Sequence, residues 1–102
     1  MILSEDAANC LRTLGARLRE ERLRRNESQQ TFAARVGVSR PTLCKMEAGD
    51  PTVQLGSWAA ALDVLGRTGE FNALLAPPED LFAKYEMTRQ PLRKRAPRKR
   101  TQ

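Results

Sequence analysis

Apolar residues recur at three- and four-residue intervals along most of this chain, so the elements the pattern predicts are helices. Leu11, Leu14 and Leu18 form the first stripe, and Ser4 followed by Glu5 and Asp6 supplies an N-cap with acids in the first turn. A first helix is therefore predicted from Ser4 toward Arg25, with Gly15 as a candidate break. Four residues beyond Leu18 the stripe lands on Arg22, a charge at a core-facing position. It needs a partner from elsewhere, because an unpaired buried guanidinium is very costly.

Asn26 suits the left-handed residue that ends a helix, and Ser28 is the next N-cap before Phe32, Ala33 and Val36 mark a second apolar face. This predicts a short helix over 29–36, stopped by Gly37. Only Val38 separates Gly37 from a further N-cap at Ser39. Pro41 fits the first turn of a third helix, where no intrahelical donor is lost, and Leu43 and Met46 give that helix an inward face before Gly49, Asp50 and Pro51 end it. Trp58, Leu62 and Leu65 define a fourth helix ending at Gly66, with Trp58 as its core anchor. Phe71, Leu74 and Leu75 suggest a short fifth helix closed by Pro77 and Pro78, and one more turn is expected to carry Leu81, Phe82 and Tyr85. From Arg89 onward there is no apolar period, and the segment cannot bury enough surface to fold alone. The fold class expected is all-α: a compact domain of four to five helices over 1–76, a short segment 77–88, and a basic, disordered tail 89–102.

Composition narrows the chemistry. With 102 residues and 40% hydrophobic content the chain can bury one core, not two of ordinary size. It lacks a run of about eighteen apolar residues and an export signal, so no membrane contact is expected and a cytoplasmic location is the default. Cys10 and Cys44, without any histidine, cannot supply a usual zinc set; no metal is expected, and both read as buried small hydrophobes or inert thiols. No glycine-rich phosphate loop or serine elbow replaces the missing histidine base, so neither catalysis nor a cofactor is expected.

The formal charge of +6 is unevenly spread. Residues 1–11 carry −2, residues 12–45 hold nine bases against three acids, residues 46–88 hold two bases against seven acids, and residues 89–102 add seven bases and no acid. Two positive blocks of this kind suit a polyanion bound by one part of the surface. Two short helices joined by a tight turn after a basic first helix match the helix-turn-helix signature, with its core at 28–49. Periodicity alone would fit a generic helical bundle nearly as well; the charge division favours DNA.

The stretch Arg22 to Leu65 resembles the lambda-repressor-like helix-turn-helix family, also called Cro/C1 or XRE, through Ser28-Gln29, Phe32-Ala33, Val36-Gly37-Val38-Ser39, Leu43 and Met46-Glu47-Ala48-Gly49. The resemblance implies a structural ion pair between Arg22 and Glu47. It also implies a DNA-backbone contact at Gln29 and base reading at the start of the third helix: Ser39 as its cap, then Arg40, Pro41 and Thr42, with Lys45 one turn on. Glu27 departs from the family, which usually carries an apolar residue there. Asp50-Pro51-Thr52-Val53 and the helix ending at Leu65-Gly66 look like regulators and antitoxins associated with HipA-type kinase toxins.

The function expected is a sequence-specific DNA-binding regulator, a homodimeric repressor on a double-stranded operator, because one short recognition helix contacts few bases. Candidate dimer contacts are Leu81, Phe82 and Tyr85 or the apolar residues of the fifth helix. The alternative is a protein-interaction module that neutralises a toxin kinase through the acidic segment or the tail. The basic tail holds no aromatic residue for base stacking and no large apolar anchor for a membrane, which argues against RNA or lipid as its target.

Overall fold

Three serines start the first three helices by the same device. In the computed structural model, which describes residues 1–78, Ser4, Ser28 and Ser39 are each extended, and each side chain accepts a hydrogen bond from the backbone N–H three residues on. They open α1 (Glu5–Arg24), α2 (Gln29–Val36) and α3 (Arg40–Ala48). Two glycines in the left-handed region, Gly37 and Gly49, close α2 and α3. Asn26, at φ 57°, turns the chain between α1 and α2. α4 (Leu55–Val64) and the short α5 (Thr68–Asn72) complete the all-helical described residues. Met1–Phe71 forms one compact unit, and Asn72 onward belongs to a second.

The core of the first unit takes Leu18 from α1, Phe32, Ala33 and Val36 from α2, Leu43 and Met46 from α3, Trp58 and Ala61 from α4, and Leu65 at its end. Phe32, Leu43 and Met46 are the largest fully enclosed side chains. α3 is thus anchored from behind by two residues three apart, which leaves its other side to solvent.

Four expectations are corrected. Gly15 does not break α1; it is buried inside a continuous helix of 20 residues, because a Cβ there would lie 2.5 Å from the carbonyl oxygens of both Met46 and Glu47. The glycine lets α1 and α3 cross in backbone contact. Leu14 is 39% exposed, since at that close crossing the buried stripe runs through Gly15, Leu18 and Arg22 instead. Cys10 and Cys44 are both exposed rather than buried. The fifth helix ends at Asn72, so Leu74 and Leu75 lie beyond it; Leu75 takes a left-handed conformation and is fully open to solvent. The expected turn with Leu81, Phe82 and Tyr85 and the basic segment from Arg89 lie outside the described residues. Among the described residues no helix is long and apolar enough to cross a membrane.

Candidate nucleic-acid interface

Everything on the face of α3 depends on how firmly its C-terminal end is fixed. There the Arg22 guanidinium grips the Glu47 carboxylate with both ends: Nε donates to Oε2 at 2.7 Å and Nη2 to Oε1 at 3.1 Å. The two side chains are 7% and 5% exposed. Nη1 donates to the main-chain carbonyl of Glu27 at 2.9 Å, so one side chain ties α1 to α3 and to the turn before α2. The bond to Glu47 outweighs burial and holds the Arg22 guanidinium above its ordinary pKa. Gln29 joins the group: its Nε2 donates to Glu47 Oε1 at 3.1 Å, and its Oε1 lies 3.4 Å from the Cys44 thiol, which donates to it.

The carboxamide of Gln29 is therefore turned toward Glu47 and Cys44, while Gln30 and Thr31 beside it are exposed. Glu27, where the lambda-type pattern carries an apolar residue, pairs with Arg35, while its Oε1 is buried without a hydrogen-bond partner.

At the other end of α3 the Ser39 hydroxyl accepts from the Thr42 amide at 3.2 Å and donates to Thr42 Oγ1 at 2.9 Å. Thr42 is half-buried and serves the cap as well as the surface. Arg40, Pro41 and Lys45 are exposed. Among the described residues neither Arg40 nor Lys45 has an ion-pair partner, whereas Arg12, Arg22, Arg24, Arg25, Arg35 and Arg67 all do. The exposed edge of α3 thus presents two cations without an ion-pair partner among the described residues.

Thr42 and Lys45 also line a groove of about 320 Å³ whose other wall is Thr52, Val53, Gln54 and Ser57. Sequence reasoning used Thr52 and Val53 only for the subgroup resemblance and assigned no role to Gln54 or Ser57. Gln54, at the N-cap of α4, makes no capping hydrogen bond and is exposed. Beside the groove, Asp50 accepts from the Thr52 hydroxyl at 2.6 Å and amide at 2.8 Å. Those two bonds, with Lys45 nearby, hold its carboxyl below the usual carboxylate range.

Against known proteins, the family model described as a helix-turn-helix domain matches residues 13–74. That span runs from the close crossing at Gly15 through α5. No curated protein and no solved structure matches the chain.

Proposed function

Given that the chain belongs to the helix-turn-helix domain family, we propose that it is a sequence-specific DNA-binding transcriptional regulator that acts as a dimeric repressor. The observation that carries this reading is the exposed edge of α3. Arg40 and Lys45 stand there unpaired among the described residues, on a helix whose other side is locked by Leu43, Met46 and the Arg22–Glu47 pair. A rigid helix with cations at its first turns is what the major groove requires: arginine and lysine donate to guanine O6 and N7, and Pro41 offers apolar contact to a thymine methyl. The main-chain amides at the start of α2, beside Gln29, suit a phosphate. Thr52, Gln54 and Ser57 extend the polar surface next to Lys45.

A nine-residue helix reads only a few base pairs. Two copies on half-sites about 34–36 Å apart supply the missing specificity, which is the reason for the dimer. Selection from a random DNA pool tests the assignment. Arg40→Ala is expected to lose about 1–3 kcal/mol at one base pair and relax selection there, while Gln29→Ala, which loosens the first turn of α2 by removing its bond to Glu47, weakens all sequences evenly. An Arg40→Ala protein that keeps the wild-type motif with lower affinity would make Arg40 a phosphate contact and remove α3 as the reading helix.

A partner-binding role beside DNA binding, as in an antitoxin, is favoured by Leu74 and Leu75, which are 61% and 101% exposed within the acidic segment. Its test is binding to a HipA-type kinase by the wild type and by Leu75→Glu. No binding by the wild type removes the antitoxin reading and leaves the regulator.

A further inference from the structure

Half of α1 contributes nothing to the core. Among the described residues the core takes Leu18 from this helix and no side chain N-terminal to it. Yet Ala7, Ala8, Cys10, Leu11 and Leu14 make that half as apolar as the rest. It is held to the domain by close backbone approach, with Leu11 and Arg12 against Gly49 and Gly15 against the carbonyls of Met46 and Glu47. At 3.6 residues per turn, Leu11, Gly15, Leu18 and Arg22 fall on the stripe that faces α3. Ala7, Cys10 and Leu14, at spacings of three and four, fall on a second stripe about 80° round the helix. Cys10 is exposed, Leu14 is 39% exposed and Ala7 is half-buried, and Met1 and Ile2, just before the helix, are 88% and 98% exposed. An apolar stripe with this spacing is the kind that seats another helix.

The charges beside the stripe point to the occupant. Asp6 borders one end and Arg17 the other, both exposed and neither in an ion pair among the described residues. Eleven residues of helix place them about 16 Å apart, too far to pair within one copy. If a second α1 lies antiparallel across the first, centred between Leu11 and Arg12, Asp6 of each copy comes opposite Arg17 of the other. Leu14 then seats against Ala7 and Cys10. The contact is self-complementary, as a two-fold interface must be. We propose that this face of α1 is the contact between two copies of the chain, paired antiparallel. The proposal rests on the dimeric reading above and names its interface.

Sedimentation of the full chain, with circular-dichroism melts to check folding, tests both. Asp6→Arg and Arg17→Asp are each expected to weaken the dimer by about tenfold or more, since each sets like charges opposite one another at two symmetric places. The double variant is expected to restore wild-type association. Leu14→Glu, at a half-open position, is expected to weaken it as well and serves if Asp6→Arg fails to fold. In a Cys44→Ser background a short bismaleimide should join two copies through Cys10. A wild type that stays monomeric at micromolar concentration overturns the dimeric reading and this contact together. A dimer untouched by these variants but broken by Leu74→Glu or Leu75→Glu overturns the α1 contact alone. Weakening by both charge reversals without rescue in the double variant overturns the antiparallel pairing.

Discussion

Arg22 is a buried cation that is stable only because each of its three nitrogens donates to an oxygen, two to Glu47 and one to the Glu27 carbonyl. Removing either partner strands the other charge away from water. Arg22→Ala and Glu47→Ala are each expected to cost about 3–5 kcal/mol in urea unfolding, and a matched apolar pair such as Arg22→Met with Glu47→Leu much less. Single variants with wild-type midpoints would mean the pair is not needed for stability. Asp50 behaves differently because it is on the surface. Its folded pKa is depressed, first by the Thr52 hydroxyl and then by the Thr52 amide. Its contribution is therefore fully present above the ordinary carboxylate value of about 3.9, and is lost as pH falls through the lower folded value. The stability gap between wild type and Asp50→Ala should narrow on acidification below about pH 4. A gap that stays constant down to complete acid unfolding would show that the Thr52 bonds do not favour the ionised form.

At the scale of elements, the signals that are local in sequence were readable and the non-local ones were not. Ser28, Gly37 and Ser39 mark helix ends through their own backbone preferences, so α2 and α3 follow from the residues that build them. Gly15 carries no such information: in isolation a glycine inside a helix reads as a weak point. Its actual reason is the pair of carbonyl oxygens from α3, more than thirty positions away in the chain. The open faces of Cys10 and Cys44 are likewise set by which stripe of α1 and α3 turns inward, and the thiol type does not decide that. In the candidate site, the stripe showed that Arg22 needs a partner, but only the family resemblance pointed to Glu47. The polar wall formed by Thr52, Gln54 and Ser57 had no spacing to announce it. The close crossing predicts a substitution effect of unusual sign for a helix, where alanine normally stabilises relative to glycine. Gly15→Ala is expected to destabilise by about 1–3 kcal/mol, because the new methyl must push two backbones apart. A thermal midpoint equal to or above wild type would show that α1 can slide off α3 without loss.

For the whole molecule the unequal distribution of charge matters more than its total. The positive block 12–45 contains Arg40 and Lys45 on the exposed edge of α3, so on the proposed reading the domain brings its own attraction for phosphate to the edge assigned to the bases. Five of the nine bases in that block pair internally, with Glu5, Glu21, Glu27 and Glu47, which leaves Arg17, Arg19, Arg40 and Lys45 without an ion-pair partner among the described residues. The seven bases of 89–102 lie outside the described residues, in a stretch whose sequence carries no apolar period. Their contribution is expected to be counterion release along the DNA backbone. Deleting 89–102 should weaken binding to operator and to unrelated DNA by similar factors. It should also flatten the plot of log affinity against log salt by about 0.9 for each phosphate that the segment neutralises, while the selected motif stays the same. Titrations of both proteins at several salt concentrations, with one specific and one random duplex, separate these effects. An unchanged slope would show that the segment neutralises no phosphate, and a changed motif would show that it reads bases.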